Sequence, residues 1–552
     1  MGKLELGLYD IKNRLQEPLR YSSGKTQTDL IEDILEAFRG NDIVFLNGTV
    51  GSGKSVVGLR TILEFGRGIV SVPTKVLSDQ YVDSYERNKY FMRDEGSTAK
   101  IGILKGRGNF RCMYMADKGR NISCAASTLP CRRPLNKEAG EHRIDAVREC
   151  PHWGFIFASG WKDSIKKAEV MPYQGIKGKW LWCMRGECPY WKQFGAYVFS
   201  DAIVMNSAKW AAELNIGRLP EVPLTVVDEA DGWLDSLAVK VSLTQRVMDR
   251  VLEKIEIVSG EQEELRDEGE TLRDMWSGAL DGRGDPIELA GHLAGLLDEM
   301  DETSGTLYWK LRSVLEHRDH AEWENVEKGI VYFVPDPKIV LQRILEAVGG
   351  KWLLMSATVQ GEDVLREVFG IEPTFVEGEM RFPGKIIQRK LGQEEMVNYQ
   401  KWADDEFKRR YWSLLSKMRR SAKRPGFVPV HSFKYLPPKL REGMLRNGVD
   451  VYELGRTQFS TKMDRGADLK GRKSVILLKF PYPEREDPLL KGMERRLGPK
   501  AFWGYYRDMA ERDFVQQVGR VLRSPSDVVE FWSPDETCHR KLKKVWKGEV
   551  ES

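Results

Sequence analysis

Three groups of residues carry side chains and spacings suited to chemistry. The first is Gly48-Thr49-Val50-Gly51-Ser52-Gly53-Lys54-Ser55, which fits the pattern GxxxxGK[ST]. In such a loop the glycines let backbone N–H groups converge on phosphates, the lysine reaches the β- and γ-phosphates, and the serine hydroxyl serves Mg²⁺. The second is Asp228-Glu229-Ala230-Asp231, three acids at the end of the apolar run Leu224–Val227. There Asp228 is suited to holding Mg²⁺, and Glu229 to polarising the water that attacks a γ-phosphate. The third is Gln516, Arg520 and Arg523, whose spacing sets an amide and two guanidinium groups on one helix face. Delocalised cations of this kind stabilise charge that grows on a phosphoryl group in flight.

A fourth group is sulfur. Cys112, Cys124, Cys131, Cys150, Cys183 and Cys188 fall within 77 residues, with Cys538 elsewhere. Scattered core cysteines do not look like this. A zinc ribbon is poorly supported because the chain has no CxxC pair.

These residues need a scaffold that presents strand ends and helix starts. Ile43–Leu46, the glycine loop, and then Val56, Val57, Leu59, Ile62 and Leu63 read as strand, loop and helix. Short apolar runs at Ile69–Val72, Leu224–Val227, Trp352–Met355, Val475–Phe480 and Val528–Trp532 predict buried parallel strands. The expected fold class is therefore α/β. Residues 240–330 read as helical instead. Leu243, Val247, Val251 and Ile255 recur every four residues, and Leu289, Leu293, Leu296, Leu297 and Met300 form a second stripe.

At 552 residues with 41% hydrophobic content, the chain can bury large cores and is not a disordered polymer. Seven cysteines are too few for a disulfide scaffold. No apolar run approaches a membrane span, and the start has no secretory h-region, so a cytoplasmic protein without membrane contact is expected. The net charge of +4 conceals a division. Residues 100–195 hold 18 Lys/Arg against 8 Asp/Glu, whereas residues 240–330 hold 11 against 22. The basic segment also carries Trp153, Trp161, Trp180, Trp182, Tyr190 and Trp191. Basic and stacking side chains together suit a single-stranded nucleic acid, although most of these rings could equally pack a small domain.

The motifs and their order resemble the XPD/DinG family of superfamily 2 iron–sulfur DNA helicases. Asp228–Asp231 has the DEAD form of the superfamily's box, Ser356-Ala357-Thr358 matches its SAT motif, and Gln516–Arg523 matches QxxGRxxR. Lys105–Cys112 resembles GRxNYxC, Cys188-Pro189-Tyr190-Trp191 resembles CPYY, and Arg465–Gly471 resembles EGIDLPG. The match runs from Gln27, a candidate adenine-reading Q motif, to Asp535. Three positions depart from the pattern: Ser55 stands for a threonine, Arg465 for a glutamate, and Ser207 for a histidine.

The resemblance implies two RecA-like parallel-sheet domains with an inserted iron–sulfur cluster domain and an inserted helical arch. It assigns 1–105, 196–240 and 335–385 to the first domain, 106–195 to the cluster, 241–334 to the arch and 386–552 to the second domain. It implies ATP and Mg²⁺ as cofactors, with Lys54, Asp228, Glu229, Gln516, Arg520 and Arg523 catalytic. The phosphate loop, Gln27 and Asp468 would bind the nucleotide, and Ser55 and Asp228 the metal. It makes Cys112 the first and Cys188 the last ligand of a [4Fe–4S] cluster. Cys131 and Cys150 are favoured for the middle pair on their even spread, and Cys124 and Cys183 stay in contention. The implied activity is 5′→3′ translocation on single-stranded DNA with unwinding of duplex or branched DNA, by a monomer. Two alternatives are a DEAD-box RNA helicase and a DNA translocase or binding protein without robust unwinding.

Overall fold

The computed structural model describes all residues except 1–3, 94–95, 127, 133–146, 159–169, 185, 260–262, 301–305, 448–450, 462–468, 470 and 552. Trp161, Arg465 and Asp468 therefore lie outside the described residues.

The fold is α/β, built on two seven-stranded sheets. The first runs, edge to edge, Phe375–Glu377, Ile43–Asn47, Lys351–Ser356, Leu224–Asp228, Gly68–Val72, Ala202–Asn206 and Ile101–Leu104, with every neighbouring pair parallel. Its central strands are continuous apolar runs because helices cover both faces, leaving no solvent side to alternate toward. Register does the positioning. Ser356 pairs with Asn47 and Met355 with Asp228, so the glycine loop, the acidic strand end and the Ser-Ala-Thr turn leave one edge together. Functional loops collect at the carboxyl ends of such sheets.

The second sheet runs Val451–Leu454, Thr457–Ser460, Gly426–Pro429, Ser474–Ile476, Val528–Trp532, Lys385–Gln388 and Glu549–Glu551. It is parallel except at its first pair. The apolar run Val475–Phe480 is a strand only over Ser474–Ile476; Leu477, Leu478 and Phe480 continue as buried core.

Two insertions interrupt the first sheet. The basic one contains a three-stranded antiparallel sheet of Phe155–Ala158, Lys179–Met184 and Val170–Gly175. It is pinned back to the first domain, since Ile176 N–H donates to Leu219 O and the Tyr173 hydroxyl to Arg218 O. The acidic insertion has helices Gln245–Ser259, Glu263–Leu280, Pro286–Glu299 and Thr306–Glu316 around an apolar core. It is not helical throughout. Leu243 lies in the strand Lys240–Thr244, which pairs with Gly329–Phe333, itself paired with Glu322–Val326. The four-residue repeat misassigned Leu243: Val241 and Leu243 alternate inward as in a strand, and the helix begins at Gln245.

The long helix Pro488–Gly519 crosses between the modules and is kinked at Gly498-Pro499, as an interior proline requires. Arg495 pairs with Glu322, and Asp487 at the N-cap pairs with Lys240, both on the acidic insertion. Among the described residues no helix is long and apolar enough to cross a membrane.

Candidate active site

The glycine loop joins the strand Ile43–Asn47 to the helix Lys54–Glu64. Gly51 and Gly53 have φ of 83° and 77°, a left-handed backbone open to glycine at no steric cost. Space is a second constraint at Gly53, where a Cβ would run into the Gln27 side-chain amide. Lys54 Nζ donates to Gly48 O at 2.6 Å and Thr49 O at 3.1 Å, so the ammonium is folded onto the loop's own carbonyls. Gln27 is buried and already engaged: its amide oxygen accepts from Leu19 N–H at 2.9 Å, and its NH₂ donates to Gly53 O at 3.2 Å. In this structure it supports the phosphate loop.

Asp228 ends its strand, buried, and Glu229 follows with φ 54° at the start of the helix Ala230–Asp235. A non-glycine residue in the left-handed region is uncommon and concentrates at functional sites. Asp228 Oδ2 accepts from the Tyr81 hydroxyl at 2.8 Å.

A cleft of about 460 Å³ separates the two sheet domains. Lys54, Ser55, Asp228, Glu229 and Thr358 line its first side; Gln516, Arg520 and Arg523 line the other. The three motifs separated by hundreds of residues in sequence are thus gathered around one space. Val50, Gly51, Gly53, Gln80, Tyr85 and Phe382 also line it.

Behind the cleft the domains are joined through Asp231. Its carboxylate accepts from Ser356 Oγ at 2.8 Å, Thr358 Oγ1 at 3.1 Å and Gln516 Nε2 at 2.7 Å. Gln516 also donates to Thr358 Oγ1 at 2.8 Å. One turn earlier on the same helix, buried Arg512 forms a fork on Asp235, two N–H···O bonds of 2.9 Å each, and reaches Asp508 at 2.6 Å. The Tyr505 hydroxyl donates to Asp235 at 3.1 Å. Burial opposes the charge on Arg512, but the carboxylates of Asp235 and Asp508 outweigh it and hold its pKa well above the usual guanidinium value. The sequence motifs did not include Arg512 or Asp235. The available signal was spacing alone, since Arg512 is one turn before Gln516 and Asp235 one turn after Asp231.

The cysteine module has its own geometry. Cys112 and Cys124 are drawn together by paired backbones: Cys112 N–H donates to Ile122 O at 3.0 Å and Cys124 N–H to Phe110 O at 2.9 Å. Cys188 N–H donates to His152 O at 3.0 Å, which brings the Cys150 segment to the Cys188 turn. Cys124 and Cys188 are electrostatically coupled. That coupling holds the Cys188 thiol below its ordinary value, with backbone N–H groups and Arg107 adding to the effect. Cys131 lies in the electrostatic reach of Cys112, Cys124 and Cys150. Arg107 sits among them, donating to Cys131 Sγ at 3.3 Å and Cys124 Sγ at 3.6 Å, with its guanidinium 4.2 Å from the Tyr190 ring centre. Cys112, Cys124, Cys131, Cys150 and Cys188 thus lie within electrostatic influence of one another. Cys183 is buried in the antiparallel sheet, paired with Ile156 and Met171. Among the described residues no three Cys, His, Asp or Glu stand in an arrangement that would hold a metal ion. Tyr190 and Trp191 are buried packing residues, whereas Trp180 is 56% exposed.

Fold and cleft define the class: a P-loop protein with two RecA-like domains and two insertions. Residues 455–546 match the family model described as helicase C-terminal domain. An XPD helicase structure superposes with TM-score 0.60 at 16% identity, covering 95% of this chain and 98% of that one. An apo XPD structure gives 0.56 at 14% identity (95% and 100%), and Xpd4 of S. tokodaii 0.55 at 14% (95% and 99%). The chain has the fold of these XPD proteins. No curated protein matches it in sequence.

Proposed function

We propose that the chain is an ATP-driven DNA helicase that moves on single-stranded DNA, 5′→3′, and opens duplex or branched DNA. The observation that carries this reading is the interdomain cleft, where the phosphate loop and acidic strand end face Gln516, Arg520 and Arg523. With ATP seated on the loop, Lys54 would leave the carbonyls of Gly48 and Thr49 for the β- and γ-phosphates. Glu229 would orient the attacking water. Arg520 and Arg523 would offset charge growing on the γ-phosphoryl group, which ties hydrolysis to cleft closure. Ser55 and Asp228 would hold Mg²⁺, which when bound would supply charge neutralisation at the phosphates. Gln516 and Arg512 would pass closure to the Ser356–Thr358 turn through Asp231 and Asp235. The domain division follows the sequence boundaries given above, and Asp468 is proposed as a nucleotide contact from the second domain.

We propose a [4Fe–4S] cluster in the basic insertion. What supports it is the donor set: five cysteines of one insertion influence one another electrostatically, and the Arg107 guanidinium donates to two of them, Cys124 and Cys131, where it would offset thiolate charge. Cys112, Cys131, Cys150 and Cys188 are the proposed ligands, with Cys124 as the competing donor. The cluster would supply a rigid cross-link for a module with little core of its own.

The test is ATP hydrolysis with single-stranded DNA or single-stranded RNA as stimulator. The reading expects DNA to stimulate more strongly; equal or greater stimulation by RNA would favour the RNA-helicase alternative.

A further inference from the structure

A cavity of about 560 Å³ lies where the first domain meets both insertions. The basic insertion contributes the turn between its strands Val170–Gly175 and Lys179–Met184, with Lys177 and Lys179 exposed. Lys177 has φ 59°, so this turn holds a non-glycine residue in the left-handed region. The first domain contributes Trp210 from the helix Ser207–Ile216, Trp233 from Ala230–Asp235 and Ile344 from Pro337–Val348. The acidic insertion contributes Glu316 and His317 at the end of the helix Thr306–Glu316. The tryptophans belong to one aromatic wall: the Trp210 and Trp233 rings meet edge to face at 6.2 Å, and Trp233 stacks on Trp352 at 5.8 Å.

Size and walls suit a small organic molecule, since such sites are clefts of roughly 300–1,000 Å³, mostly apolar and often at the junctions between domains. Charge suits an anion. Lys177, Lys179 and Arg343 bring three positive charges to the lining against one negative charge from Glu316, which pairs with Arg343 at 3.1 Å. These cations are the exposed part of the lining and the tryptophans the buried part. A ligand can therefore keep an acidic group beside the cations while its apolar body rests on the rings. Two residues of the wall also keep a buried nitrogen without a hydrogen-bond partner among the described residues, Trp210 Nε1 and His317 Nε2. His317 Nδ1 is already committed, donating to Ser313 O at 2.8 Å. The wall is thus under-satisfied as it stands. We propose that this cavity is a binding site for an aromatic organic anion, and that such a ligand ties both insertions to the first domain. Its walls come from three modules, so a bound molecule makes its full contacts only when all three are in place and stabilises that arrangement by mass action.

The test uses the full chain and the aromatic anion 8-anilinonaphthalene-1-sulfonate as probe, read by equilibrium dialysis and by energy transfer from tryptophan. Wild type should take up one probe per chain. Ala211 is half-buried on the cavity face of the helix Ser207–Ile216. Ala211→Phe fills the space and should weaken binding about 10-fold or more, the scale of one apolar side chain's burial. The double variant Lys177→Gln, Lys179→Gln changes only exposed side chains, so it decides the matter should Ala211→Phe fold poorly. It should bind about 2- to 30-fold more weakly, the range of two exposed charge contacts, and the difference should fade in high salt. Amide exchange in Thr306–Glu316 and Lys179–Met184 should slow when the probe is bound. No binding by wild type, equal binding by both variants, or displacement of the probe by single-stranded DNA would overturn the small-molecule site. Binding with unchanged exchange in both segments would overturn the tie between modules.

Discussion

The Arg512 network allows one prediction to be worked through. Arg512→Met keeps much of the side-chain volume and helix propensity but deletes the guanidinium. Arg512 is 6% exposed; it makes two bonds of 2.9 Å to Asp235 and one of 2.6 Å to Asp508, and lies 3.5 Å from Asp231. Burial already pushes Asp508 above the usual carboxylate range, with Arg512 acting to hold it down. Removing the cation strands two carboxylates at the domain interface, and breaking a buried charge network in this way costs about 3–5 kcal/mol. The loss should appear in urea unfolding followed by fluorescence and in faster amide exchange along Pro488–Gly519. Gln516 and Asp231 lose their support as well, so kcat for ATP hydrolysis should fall together with stability. The triple variant Arg512→Met, Asp235→Asn, Asp508→Asn removes the stranded charges and should recover more than half of the lost stability. A cost under about 1 kcal/mol for Arg512→Met, the range of a surface ion pair, or no recovery in the triple variant, would refute the argument.

Other predictions concern the cleft, the thiols and pH. Lys54→Ala should reduce ATP hydrolysis by about two orders of magnitude or more, the scale of losing a positioned phosphoryl-transfer cation, with an unchanged melting profile. Glu229→Gln should still bind ATP, seen by nucleotide filter binding, but should not turn it over. Cys188→Ser and Cys150→Ser should each lose most of the iron found per chain after anaerobic purification, whereas Cys183→Ser should retain it. Iron retained in Cys150→Ser would shift the ligand assignment to Cys124. Burial, with Lys479 and Lys434 nearby, pushes His431 down to about 4, against about 6.5 in the unfolded chain. The unfolded state therefore takes the proton first as pH falls. Stability should be level above pH 7 and should drop by about 2–3 kcal/mol between pH 6.5 and 4. His431→Gln should flatten that part of the urea-unfolding profile.

The residues proposed to bind phosphate were legible because their chemistry is local. A glycine loop between strand and helix, or a guanidinium pair on one helix turn, is written in a few neighbouring letters. The central strands were legible because burial on both faces leaves an uninterrupted apolar run. Tertiary placement was not. The link between Arg512 and Asp235 spans 277 residues in sequence and exists only because the long helix packs behind the acidic strand end. Tyr81 reads as a core aromatic until the pairing of its strand with Leu224–Asp228 brings its hydroxyl to the carboxylate. Leu243 was drawn into a helical repeat because one alternating pair, Val241 and Leu243, is too short to outweigh the longer period beside it. Spacing ranks Cys124 below Cys131 and Cys150, whereas backbone pairing at Phe110 and Ile122 brings it beside Cys112. The antiparallel sheet of the basic insertion carried no clear alternation, since its rings pack on both faces.

The central claim is that ATP hydrolysis in this cleft drives directional movement on DNA. Strand separation on duplexes carrying a 5′ or a 3′ single-stranded tail tests it most directly, with wild type beside Lys54→Ala. The account predicts ATP-dependent unwinding of the 5′-tailed duplex, little of the 3′-tailed one, and none by Lys54→Ala. Preference for the 3′ tail, or equal unwinding by Lys54→Ala, would contradict it.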